Sequence, residues 1–239
     1  MKISKTQKHL IFVILLLFSS VLTNQYYGNL GVQPIDSFFP FNSAYDVFSG
    51  FYPFKDYWTI TGPFIDLVQA LFFKILGVSW FAYVLHASIF NFIFVIFFFY
   101  TLKEFNLDIK FCFLYSLFLS FLSYPSSGTP YVDHQASYLS VMGVFCFLLA
   151  LKKQDNIWWF ILPIILGLSF LTKQTPTGYI SIILIFFSLI YFILNFSIEK
   201  ILYGLLGSTL IILLFLLFMY IGEIPFKSFF HQYILFPLS

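Results

Sequence analysis

Arginine is absent from this chain, and all 12 basic residues are lysines. Charge of either sign is scarce: 9% of the 239 residues are charged, against about 25% in ordinary globular proteins. A soluble domain so poor in charge could not cover its own surface, so lipid must be the solvent for much of it. With no arginine and no basic cluster beyond Lys152-Lys153, nothing resembles a nucleic-acid footprint, and no nucleic-acid partner is expected. The two cysteines, Cys112 and Cys146, both lie inside apolar runs, which argues against a disulfide framework. What is plentiful is apolar: 60% of residues are hydrophobic, 37 are phenylalanine, and mean hydropathy is +0.92. Abundant Phe, Ile, Leu and Lys is the composition of an AT-rich bacterial genome, which fits a multi-pass protein of the bacterial cytoplasmic (inner) membrane.

A bilayer core of about 30 Å needs roughly 20 apolar residues per helix. The apolar runs predict an all-α membrane protein, a polytopic helical bundle of about seven transmembrane helices forming one domain over 1–239. The expected spans are 9–23, 80–102, 111–124, 136–151, 157–172, 179–196 and 201–221. The first follows Lys2, Lys5 and Lys8, and Ser20-Val21-Leu22-Thr23-Asn24 is a poor cleavage site, so it reads as an uncleaved signal anchor. Residues 24–79 read as a long extracytoplasmic first loop carrying juxtamembrane helices. Within it, 62–77 is ambiguous, because it is apolar yet holds Asp66, Gln69 and Lys74. If 62–77 lies in the interface, the short loops on the N-terminal side collect Lys103, Lys110, Lys152, Lys153 and Lys200. The positive-inside rule then puts the N-terminus in the cytoplasm. If 62–77 spans instead, Lys152-Lys153 falls outside. The interfacial arrangement fits better, and it gathers the unusual polar residues on the outer face.

Four outer segments carry these residues: 24–79, 125–135, 173–177 and the tail after Gly222. Asp36, between proline and serine neighbours, is either a general base toward an acceptor hydroxyl or a turn or cap residue. Asp133 and His134 stand where the 136–151 helix begins, a costly place for ionisable groups that are not paired or hydrated. The plainer reading has Asp133 simply capping the helix and favouring its dipole. A divalent cation held by Asp133 and His134 with help from Asp36 is the less favoured reading, since the donor set is sparse. No metal site or cofactor is expected. Lys173-Gln174 emerges from the 157–172 helix, where the lysine either neutralises a phosphate or snorkels to lipid headgroups. His86 and Asn91, inside a span, are expected to make helix–helix hydrogen bonds.

Several short motifs fall in a familiar order. Asp36 after the first helix, Gly50-Phe51-Tyr52-Pro53-Phe54-Lys55-Asp56, Gly62-Pro63 and Phe72-Phe73-Lys74-Ile75-Leu76-Gly77 resemble the first extracytoplasmic loop of the GT-C glycosyltransferases. The closest likeness is to the branch containing dolichyl-phosphate-mannose protein mannosyltransferases and the aminoarabinose transferase of lipid A. Asp133-His134 opening a helix and Gly167-Leu168-Ser169-Phe170-Leu171-Thr172-Lys173-Gln174 are similar to two further landmarks of bacterial members. The resemblance implies inverting transfer of a sugar from a polyprenyl-phosphate donor to an extracytoplasmic lipid or protein acceptor. It implies Asp36 as general base and Lys173 at the leaving phosphate, with Gln174 among the substrate-binding residues. It implies Asp133 and His134 shaping the sugar pocket or orienting the partner of Asp36, with Asp56 and Tyr57 also on the substrate and Tyr57, Trp58 and Tyr131 able to stack on the sugar. The prenyl chain would lie in an apolar groove between helices. Relatives commonly place arginines at the phosphate and run longer, so a truncated or split reading frame is expected here.

Two other readings compete: a multi-pass transporter or flippase component, and a non-catalytic membrane subunit. Transporters place ionisable groups near the bilayer midplane, whereas here the polar residues gather in outer loops.

Overall fold

The computed structural model describes residues 5–31, 34–124 and 127–238, leaving aside the side chains of residues 5, 6 and 34–37. Among the described residues the fold is all-α, apart from one isolated bridge between Pro53 and Tyr57. In chain order the helices are α1 (Lys5–Gly28), α2 (Pro34–Phe48), α3 (Phe64–Leu76), α4 (Trp80–Glu104) and α5 (Ile109–Leu122). There follow α6 (Val132–Lys153), α7 (Asn156–Phe170), α8 (Gln174–Leu194), α9 (Ile198–Ile221) and the short α10 (Phe226–Phe229), which runs on into a wider helical turn over Phe230–Leu235.

The seven expected spans fall on α1 and α4 to α9. Five of these helices are long and apolar enough to cross a membrane, while α5 and α7 are shorter apolar helices. The protein is therefore an all-α membrane bundle, and its outward faces are crowded with exposed Leu, Ile and Phe. Side chains locate the starts of several helices. Ser79, Asp108 and Asp155 accept hydrogen bonds from the backbone N–H groups of Ala82, Lys110 and Ile157 at 3.2, 2.9 and 3.1 Å. Each satisfies a donor that the first turn would otherwise leave open.

Contacts between helix ends define two ends of the bundle. At one, Trp80 Nε1 donates to Gly28 O (2.8 Å), Asn24 Nδ2 to Gly128 O (3.2 Å), and Tyr83 Oη to Pro130 O (3.2 Å). At the other, Lys153 pairs with Glu104 (3.3 Å), and Asn156 donates to Glu199 (3.2 Å). Gln154 there takes hydrogen bonds from Tyr191 and Lys200. Because α1 ends where α4 begins, α3 does not cross the bundle. With 13 residues, it is also only about 20 Å long. The first end is called the loop end below, the second the lysine end.

Inside the bundle, close approach depends on small residues, as expected where lipid supplies no hydrophobic drive between helices. A Cβ on Gly207 of α9 would lie 2.1 Å from the Phe160 carbonyl oxygen of α7, and one on Gly167 of α7 would lie 2.5 Å from Ile211 of α9. Polar links stitch the remaining helices together. Asn91 Nδ2 of α4 donates to Asn24 Oδ1 of α1 (2.7 Å) and to Ser120 O of α5 (3.0 Å). His86 of α4 sits between Gln69 of α3 (2.9 Å) and Gln135 of α6 (3.3 Å). Both residues thus make the helix–helix bonds expected of them.

Candidate functional site

The polar residues of the loop end are organised around the α7–α8 corner. The stretch 59–64 lies against it through two backbone bonds, Gly62 N to Thr172 O (2.9 Å) and Phe64 N to Leu171 O (3.0 Å). Only glycine fits at 62, since a Cβ there would fall 1.9 Å from the Leu171 carbonyl oxygen. The C-terminal segment braces the same strap from the other side. Gln232 accepts from Thr59 N (3.0 Å) and donates to Phe54 O (3.2 Å), and Tyr233 Oη donates to Phe170 O.

This arrangement leaves a cavity of about 210 Å³ lined by Phe39, Ile60, Thr61, Tyr131, Val132, Asp133 and Lys173. Lys173 Nζ and Asp133 Oδ1 stand 2.5 Å apart across it, joining residues 40 positions apart in the chain. The N-cap of α6 is Tyr131, not Asp133, so the aspartate spends its charge on Lys173 from within the first helical turn. Lys173 in turn caps α8 by position alone and reaches Asp133. Both side chains keep access to solvent, at 30% for the lysine and 42% for the aspartate. A pair so exposed contributes about 0–1 kcal/mol, so an incoming anion can take the lysine from its partner at small cost.

No protein-family model, curated protein or solved structure matches the chain.

The other candidate residues sit around the cavity without lining it. His134 is boxed by aromatic rings, with centroids 5.0 Å from Tyr131, 5.6 Å from Tyr124 and 6.0 Å from Tyr138. Gln174 Nε2 donates to Ile60 O (3.0 Å) and Tyr233 O (2.5 Å), tying the first loop to the C-terminal segment. Asp56 is exposed and closes the turn before Tyr57 by accepting from Tyr52 N (2.7 Å). Tyr57 donates to the buried Asp66 (3.1 Å) instead of facing the cavity. The side chain of Asp36 lies outside the described residues. Its backbone belongs to α2, three residues before the cavity-lining Phe39. Among the described residues, no group of three or more His, Cys, Asp or Glu side chains could hold a metal ion.

Two features of the site were not apparent in the sequence. Thr61 lines the cavity although threonine in a loop carries no signal of its own. In the sequence Asp66 is one of three polar residues in an apolar stretch, yet it is 2% exposed and joins α3 to α2. Burial pushes its carboxyl up to about 7, against the opposing hydrogen bonds from Ser43 and Tyr57, and the Asp46 carboxylate raises it further. The Tyr57 hydroxyl is itself raised far above its ordinary range, first by burial and then by Asp66.

A second concavity lies below. An apolar groove of about 650 Å³ runs between α7, α8 and α9 from Lys200 and Phe192 at the lysine end up to Phe170 and Gly178. Its upper rim therefore flanks Lys173 on both sides in sequence, three residues after Phe170 and five before Gly178.

Proposed function

We propose that this chain is the membrane core of a glycosyltransferase that takes a sugar from a polyprenyl-phosphate donor and passes it, with inversion, to a lipid or protein acceptor. The observation that carries the reading is an exposed, ion-paired lysine, Lys173, lining a small cavity and lying within five residues of Phe170 and Gly178 on the rim of an apolar groove. An amphiphilic phosphate donor requires that combination, with a dry channel for its chain and a cation for its head.

In the proposed reaction the acceptor oxygen attacks the anomeric carbon while Asp36 takes its proton. The bond from that carbon to the phosphate oxygen breaks, and the electron pair leaves with the phosphate. Lys173 would swing from Asp133 to the leaving phosphate and stabilise the charge developing there. Freed of its partner, Asp133 would accept hydrogen bonds from sugar hydroxyls, with Tyr131 and Thr61 beside it. Asp36 is supported by position: residues three apart on a helix share a face, and Phe39 borders the cavity. His134, Gln174, Asp56 and Tyr57 would act around the pocket by shaping it.

The loop end would face the outside of a bacterial inner membrane, because the opposite end carries Lys103, Lys110, Lys152, Lys153 and Lys200. Transport is less well supported. Among the described residues, every Asp, Glu, Lys and His of α1 and α4 to α9 lies within about two turns of a helix end, whereas translocation paths place such groups near the midplane. Binding of undecaprenyl phosphate to the purified chain tests the reading. Affinity should fall on Lys173→Met and be largely retained on Lys173→Arg. Equal binding by all three would remove the phosphate role.

A further inference from the structure

Three side chains meet beneath α2. Ser43 Oγ donates to Asp66 Oδ1 at 2.7 Å, and Tyr57 Oη donates to Asp66 Oδ2 at 3.1 Å. Ser43 is on α2, Asp66 on α3, and Tyr57 on the turn between them, so one carboxylate ties all three segments with both of its oxygens. The same face is packed with apolar contacts, in which Ala44 and Phe41 of α2 meet Phe73, Ala82 and Tyr83. Asp66 cannot drift, because α3 is anchored twice. Phe64 N is bonded to Leu171 O, and Gln69 is bonded to His86 of α4. A hydrogen bond between the Phe41 backbone and Tyr83 of α4 also holds α2, and its Phe39 is a wall of the Asp133–Lys173 cavity.

We propose that Asp66 is a positioning residue whose carboxyl clamps Ser43 and Tyr57 and so holds α2, with Phe39 and Asp36, against the Asp133–Lys173 cavity. The relevance to Asp36 rests on the glycosyl-transfer reading, whereas the clamp does not.

The clamp is sensitive to pH, and its sign follows from linkage. Seated, the Asp66 carboxyl titrates at about 7. Released into water, it would return to the ordinary range of about 4. A group that binds its proton more tightly when seated favours the seated state at low pH. That preference is lost as pH rises from about 4 to about 7, by up to about tenfold per unit, and is level above 7. The groups facing Asp66 are Ser43 and Asp46 from α2, Tyr57 from the turn and Tyr83 from α4.

The test uses the full chain in lipid nanodiscs with a small thiol-reactive probe and peptide mapping. An Ala44→Cys reporter, buried at the α2 face, reads lifting of α2, with Phe41→Cys as a second reporter at the same contact. Native Cys112 and Cys146, both fully buried elsewhere, report general loosening, and an exposed Asn42→Cys reporter corrects for thiolate chemistry at each pH. The normalised Ala44→Cys rate should rise several-fold or more between pH 5 and 7 and then level off. Asp66→Asn should flatten that profile near its low-pH value. At pH 8, Ser43→Ala or Tyr57→Phe should raise the rate about tenfold or more, since each removes a bond to a buried charge. Cys112 and Cys146 should stay protected throughout. A profile that Asp66→Asn leaves unchanged overturns the proposal, as does unaltered protection in the Ser43 and Tyr57 variants. Parallel labelling of Cys112 and Cys146 also overturns it, since the cluster would then be a requirement of the whole fold. None of these readouts involves sugar transfer, so the clamp and the enzymatic reading can fail separately.

Discussion

Replacing Gly62 by alanine is expected to unseat the strap that closes the cavity. The new Cβ would fall 1.9 Å from the Leu171 carbonyl oxygen and 2.2 Å from its carbon. Both are backbone atoms, so no side chain can turn aside. Restoring ordinary contact requires roughly 1.5 Å of movement, enough to break the bonds from Gly62 N to Thr172 O and from Phe64 N to Leu171 O. Two net hydrogen bonds at about 1 kcal/mol each, with about 1–3 kcal/mol for overpacking, give a loss of roughly 3–5 kcal/mol. At about 2–4 °C per kcal/mol for a chain of this size, Tm should fall by about 10 °C. Thermal unfolding of the detergent-solubilised protein, followed by tryptophan fluorescence, provides the measurement. Gly31→Ala is the control, since a Cβ at Gly31 meets nothing within 4 Å. A Gly62→Ala protein melting within about 1 °C of that control would refute the reasoning.

Lys173→Met should raise the apparent donor KM by about 10–100-fold, the worth of one charge-assisted phosphate contact. Because the Asp133 pair is so exposed, Tm should shift by less than about 3 °C, and a larger fall would mean the lysine is structural. Asn91→Leu, which removes the links to Asn24 and Ser120, should destabilise the α1–α4–α5 contact by about 1–2 kcal/mol, read as a lower detergent midpoint. An unchanged midpoint would show that the network contributes nothing net. In intact cells an impermeant thiol reagent should label Asn42→Cys and Thr175→Cys but not Lys152→Cys, and the opposite pattern would invert the proposed orientation.

The apolar helices α1 and α4 to α9 were legible because each is a continuous apolar run, five of them long enough to cross a membrane, and Lys152-Lys153 indicated which ends belong together. The reading of 62–77 as a helix that does not cross agrees with the contact between Gly28 and Trp80. α2 was not legible: Pro34 and Pro40, with Asp36 and Asn42 among aromatics, disguise a helix held mainly by packing on Phe73, Trp80 and Tyr83. For the site, sequence placed Asp133 and Lys173 on one face but had no means of joining residues 40 apart. Asp56 and Tyr57 were grouped with them by motif, yet the chain turns at Tyr52–Asp56 and sends Tyr57 under α2 to Asp66. No local pattern reveals that partnership, since Ser43 and Asp66 are 23 residues apart.

Donor turnover in proteoliposomes tests the central claim most directly. The purified chain would be supplied with a panel of undecaprenyl-phosphate hexoses and a bacterial envelope fraction as acceptor, and release of undecaprenyl phosphate would be followed. The expected result is release with at least one donor, lost by about a hundredfold or more in Asp36→Asn and slowed at subsaturating donor in Lys173→Met. Release that is indifferent to both substitutions, or absent with every donor, would contradict the proposed glycosyl transfer.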